Sequence, residues 1–129
     1  MELLKHLFEN VVTTAVIARE FGSTLPQWVH IKEVKDVHFE YTLDVDAGEA
    51  SAISLAMESY RPLLILDDNK GRKLARRLNL NFTGSLGIFL KAKQVGLIPS
   101  VKTIIDKVQQ TNFRYTQTVL NEIVLLAGE

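Results

Sequence analysis

Cysteine is absent from the 129 residues. That removes disulfides, thiolate metal sites and a cysteine nucleophile from the available chemistry, and it agrees with a cytoplasmic location, the expected one. Net charge is absent as well, because fifteen basic and fifteen acidic residues cancel. The chain as a whole exerts no pull on nucleic acid, so any such role has to come from local clustering. No apolar run approaches the ~18 residues that a membrane span needs. The opening MELLKHLFEN is amphipathic and carries an early glutamate, unlike a basic, then apolar, signal peptide. No internal repeat or low-complexity linker interrupts the chain. His6, His30 and His38 lack metal-ligand spacing.

What is present is a core. Apolar residues make up 47%, and the length suits one domain over residues 1–129. Leu3, Leu4, Leu7 and Phe8 have helical spacing. Val11–Thr13 is a short β-prone run, and Thr14 can cap a helix carrying Val16, Ile17, Glu20 and Phe21, with Gly22 and Ser23 ending it. Trp28–Val34 alternates like an edge strand. Residues 35–45 read as loop or weak strand. Glu49–Tyr60 predicts a helix with Ala52, Ile53, Ala56 and Met57 inward. Leu63–Leu66 is a continuous apolar run, as in a strand covered on both faces. A helix over Asn69–Leu78 and a short strand over 80–83 follow. Helices over 86–95 and from Pro99 come next, and Thr116 can cap a last one. Strands alternating with helices predict α/β architecture with a mostly parallel sheet.

In such sheets ligands bind at the carboxyl ends of strands. Asp67 and Asp68 stand at the end of the most apolar strand. Adjacent carboxylates repel unless a cation or a helix N-terminus compensates. Equally, Asp68 or Asn69 can simply cap the next helix. Glu49 shares a face with Ala52, Ile53 and Ala56, yet Asp46-Ala47-Gly48-Glu49 also has capping-box spacing. Arg72, Lys73, Arg76 and Arg77 form a basic face that would attract phosphate; a solvated helix surface is the plainer reading.

Longer stretches carry a resemblance. DAGEASAISLA, LLILDDNKGRKLA, TGSLG and AKQVGLIPSV, with VVTTAVIAREFG before them and NFRYTQTVL after, resemble the PIN-like proteins often labelled as a domain of unknown function. These are relatives of the ribonucleases of toxin–antitoxin pairs. The likeness covers essentially the whole chain. It implies a three-layer fold, a mostly parallel sheet flanked by helices. It also implies a site in which acidic residues hold Mg2+ or Mn2+. Carried over by position, Glu20, Glu49 and Asp67 match metal-binding acids, with Asp68 as a supporting fourth. Arg72, Lys73 and Thr83 would meet substrate phosphate. A cation so held lowers the pKa of a bound water and offsets charge developing on phosphate.

The family begins with a strand ending in Asp-Thr-Ser or similar, and Met1 falls inside what resembles the helix after it. The expectation is a domain truncated at its N-terminus, without the first central strand and with weak or absent metal binding. Its unpaired strand edges would favour a homo-oligomer. The implied function is an RNA-cleaving toxin-type domain, impaired as written, with an antitoxin protein as partner. The alternative is a non-catalytic interaction or oligomerisation remnant. A receiver-like phosphoacceptor module ranks last, because no third strand ends in aspartate.

Overall fold

The computed structural model describes residues 2–109 and 117–129. Thr116, the expected cap of the last helix, lies outside the described residues. The chain falls into two compact units, one formed by residues 8–84 and the other by residues 1–7 with 85–129.

The first unit opens on β1 (Val11–Thr14), followed by α2 (Ala15–Phe21). Thr14 ends the strand and caps the helix, its Oγ1 accepting from the Ile17 amide. Gly22 closes α2 in the left-handed region at φ 78°, where a glycine carries no steric penalty. β2 (Val29–Lys32) pairs with β1 in parallel, Val11 opposite Val29 and Thr14 opposite Lys32.

Residues 35–45, expected to be loop or weak strand, contain a helix, α3 (Val37–Tyr41). Its local sequence is β-prone, but Asp36 caps it by accepting from the Phe39 amide at 2.9 Å. Glu58, from far along the chain, accepts from the Lys35 and Asp36 amides at 2.9 and 2.8 Å. Those hydrogen bonds hold the Glu58 carboxyl below its usual range.

α4 (Ala47–Met57) is the hub of this unit and packs on α2, α3, α5, β1 and β3. Because partners surround it, its burial is not a single stripe. Gly48, Ala50, Ser51, Ile53, Ser54 and Ala56 are all buried, whereas Met57, expected inward, is 45% exposed. The apolar run contributes only a two-residue strand, β3 (Leu64–Ile65), paired in parallel with β4 (Phe82–Thr83). Between them lies α5 (Asn69–Arg77). Ile53, Ala56, Leu64, Leu66 and Ala75 make the core, with Leu74, Leu78, Leu80 and Phe82 around it. The strands are parallel, as expected, and form two two-stranded sheets among the described residues.

The second unit is helical: α1 (Glu2–Leu7), α6 (Ser85–Gln94), α7 (Val101–Gln109) and α8 (Gln117–Leu126). Leu86, Val101, Ile105 and Leu120 form its core. α7 starts after Ser100, whose Oγ accepts from the Thr103 amide, rather than at Pro99. The Glu129 carboxylate lies over this helix start. It accepts from Lys93 Nζ, Ser100 Oγ and the Val101 and Lys102 amides.

Candidate functional site

All seven residues singled out for a site lie in the unit of residues 8–84; Glu20 stands near the end of α2, and the others at or near a helix start or a strand end. Glu20 sits on α2, whose start is fixed by a buried hydroxyl relay. Thr14 Oγ1 and Ser51 Oγ are 2.7 Å apart, and Ser51 Oγ donates to the Gly48 carbonyl at 2.7 Å. Each hydroxyl has one proton. With the Ser51 proton given to Gly48, Thr14 is the donor to Ser51 and the acceptor from the Ile17 amide. The relay ties the first turn of α2 to the first turns of α4. At Gly48 the helices come so close that a β carbon would lie 2.8 Å from Glu20 Oε2.

Glu49 stands in the first turn of α4, behind its cap. Asp46 Oδ1 accepts from the Glu49 amide at 3.0 Å, the first half of the expected capping box. The Glu49 side chain meets the Asp46 and Asp68 carboxyls. Burial first, then the neighbouring charges of Asp46 and Asp68 and hydrogen bonds to both, raise its pKa to about 7. Burial and the neighbouring carboxylates thus favour its protonated form. Asp68 caps α5, its Oδ2 accepting from the Gly71 amide at 2.9 Å. A β carbon on Gly71 would come within 3.3 Å of Glu49 Oε2.

Asp67 faces another way. Arg72 reaches back from the first turn of α5 and donates through Nε to the Leu66 carbonyl at 2.8 Å. A terminal guanidinium nitrogen lies 3.8 Å from Asp67 Oδ1. Thr83 ends the neighbouring strand, its carbonyl accepting from the Leu66 amide at 2.8 Å. Gly84 follows, where a β carbon would strike the Arg72 guanidinium and lie 2.9 Å from Asp67 Oδ1. Lys73, Arg76 and Arg77 are exposed, with Arg76 over the Phe82 ring at 5.5 Å.

Three glycines thus abut three carboxylates: Gly48 with Glu20, Gly71 with Glu49, and Gly84 with Asp67. None has the positive φ that would call for glycine on backbone grounds; what a β carbon would meet is a side-chain end at each of the three. The relay, the glycine seats and the inward commitment of Arg72 did not emerge from the sequence. The available signal was small residues directly beside the acids. Oxygen donors are what a hard divalent cation prefers. Among the described residues, however, no three acidic or histidine side chains gather in a geometry that could hold one. As arranged, Glu49 has Asp46 and Asp68 beside it and Asp67 has Arg72, so the donor chemistry suits a cation and the geometry does not.

The class so defined is an α/β domain with parallel strand pairs and carboxylates collected at strand ends and helix starts. The chain belongs to the PIN domain family: the family model of that description matches residues 1–129. That makes it a nuclease-type domain. No curated protein and no solved structure matches it.

Proposed function

We propose that this PIN domain is a metal-dependent ribonuclease-type module of the toxin–antitoxin kind. It would act on RNA in the cytoplasm with Mg2+ or Mn2+ and be impaired in this chain. The observation that carries the reading is the seating of Glu20, Glu49 and Asp67 on three glycines within one unit. A carboxylate held between two others, as Glu49 is between Asp46 and Asp68, is costly unless the site has a use for its charge. Glu20, Glu49 and Asp67 are the cation-facing acids in this reading, with Asp68 beside Glu49. Exposed Lys73 supplies charge for a phosphate backbone. Thr83, at the strand end, would orient a ligand or a water in this reading, and Arg72 reaches phosphate only by leaving its internal contacts. Impairment follows from the arrangement of the acids, of which, among the described residues, no three are placed to hold a cation, with weak or absent cation binding as the result.

The test is cleavage of single-stranded RNA in Mg2+ and in Mn2+ by purified protein and by Glu49→Ala. Slow cleavage that the variant lacks is the expected result. Equal rates for the two proteins would sink the reading.

A second reading, a non-catalytic interaction module, rests on the sheets. Among the described residues β1 pairs only with β2, and β3 only with β4. Each strand thus has one edge without a strand partner among the described residues, which a second copy or an antitoxin protein would pair in this reading. Light scattering over a concentration series tests self-association, and a monomer throughout counts against the homo-oligomer.

A further inference from the structure

Arg72 was expected to meet substrate phosphate, but its contacts are internal. Its Nε donates to the Leu66 carbonyl at 2.8 Å, at the point where β3 ends. Its terminal nitrogen lies 3.8 Å from Asp67 Oδ1, and the two side chains are only 34% and 25% exposed. The berth is specific to this arrangement, because a β carbon on Gly84 would collide with the guanidinium. A guanidinium is always charged and cannot give up its charge to make room. Half-buried beside a carboxylate, it competes with any other cation for that carboxylate's charge, with less screening than at the surface.

We propose that Arg72 is a built-in counter-cation: it neutralises Asp67 and thereby weakens divalent-cation binding by this domain. The proposal rests on the reading of Asp67 as a cation-facing acid. It adds to an arrangement in which, among the described residues, no three acids are placed to hold a cation. Arg72 is in this view a positioning residue, acting on the site through Asp67. Gly84 is the space that lets it do so.

The experiment measures Mn2+ binding directly, by the paramagnetic resonance signal of free Mn2+. It compares the full chain with Arg72→Gln, Arg72→Lys and the double variant Arg72→Gln/Asp67→Asn. Arg72→Gln keeps a donor for the Leu66 carbonyl and removes the charge. Removing a like charge this close is expected to tighten Mn2+ binding about fivefold or more. Arg72→Lys, which keeps the charge, stays near the parent, and the double variant loses the gain. Unchanged, weaker or undetectable Mn2+ binding by a folded Arg72→Gln overturns the proposal. If Arg72→Gln does not fold, Arg72→Met takes its place. Loss of fold in both neutral variants with Arg72→Lys folded also overturns it, since the arginine is then a structural clamp. Tighter Mn2+ binding without RNA cleavage by any form leaves the counter-cation standing and removes the nuclease reading.

Discussion

Ser51 and Ser54 lie three residues apart on α4, both buried, and their replacement by alanine should move stability in opposite directions. Ser51 is fully engaged, donating to the Gly48 carbonyl and accepting from Thr14, itself only 1% exposed. Ser51→Ala leaves the Thr14 proton without an acceptor in a dry place, at about 1–3 kcal/mol. The better helix propensity of alanine returns about 0.5 kcal/mol. The net expectation is a loss of about 1–2 kcal/mol. Ser54 Oγ is buried with no hydrogen-bond partner among the described residues. Ser54→Ala removes an unsatisfied hydroxyl and gains the same propensity, for a net rise of about 1–2 kcal/mol. Thr14→Val loses the α2 cap as well as the relay and should cost more than Ser51→Ala, about 2–3 kcal/mol. The double variant Thr14→Val/Ser51→Ala should fall short of the sum by about 1 kcal/mol, since the two side chains share one hydrogen bond. Urea unfolding of the parent and the variants measures all four quantities. Equal signs for Ser51→Ala and Ser54→Ala would refute the relay, as would full additivity of the double variant.

Ile53, fully buried against Leu64, Leu66 and Ala75, should cost about 2–5 kcal/mol as Ile53→Ala, whereas half-exposed Met57→Ala should stay under about 1 kcal/mol in the same urea series. Gly48→Ala meets only the mobile end of Glu20. It should leave stability unchanged or raise it by up to about 1 kcal/mol, while shifting the Glu20 carboxyl carbon resonance. The Glu129 carboxyl is held down to about 2, first by Lys93, then by Ser100 and the Val101 amide. A depressed folded pKa contributes stability above the unfolded value, near 4.5, and that stability is lost as pH falls. The deficit of Glu129→Gln relative to the parent should therefore be full at pH 7 and shrink between about 4.5 and 2, read by amide exchange at Val101 and Lys102.

Local chemistry was legible where a local rule decided the outcome. Thr14 and Asp46 announce helix starts, Gly22 announces a stop, and alternation of strand and helix predicts the parallel pairing. What stayed hidden depends on partners distant in sequence. VHFEY in α3 consists of residues that favour strands as much as helix, and it is helical because Asp36 caps it at the Phe39 amide while the remote Glu58 carboxylate holds the Lys35 and Asp36 amides just before it. The apolar run 63–66 predicts a strand covered on both faces. Leu64 and Leu66 are indeed buried against α4, while Leu63 and Ile65 are exposed, and only two residues pair. Met57 is periodic with Ile53, yet burial around α4 is set by five packed elements and not by one face.

The same division governs the acids. From sequence, capping and site membership look like rival roles for Asp46, Glu49 and Asp68, because a cap is decided within four residues. In the fold they are compatible. Asp46 and Asp68 each accept from the amide three residues on in the helix they start. Those two helix starts converge on the Glu49 carboxyl, which touches both caps. Convergence requires α4 and α5 to approach closely, and Gly71, one turn into α5, removes the β carbon that would crowd Glu49 Oε2. The informative sequence signal is therefore less the acidic doublet than the glycines. A glycine inside a helical turn loses about 0.5–1 kcal/mol relative to alanine. Where φ does not call for it, the groups a β carbon would meet show what stands beside it. At Gly48, Gly71 and Gly84 the neighbours include a carboxylate each time, beside Leu66 at Gly71 and Arg72 at Gly84, which links residues 20, 49 and 67 across sequence distances that no local motif spans.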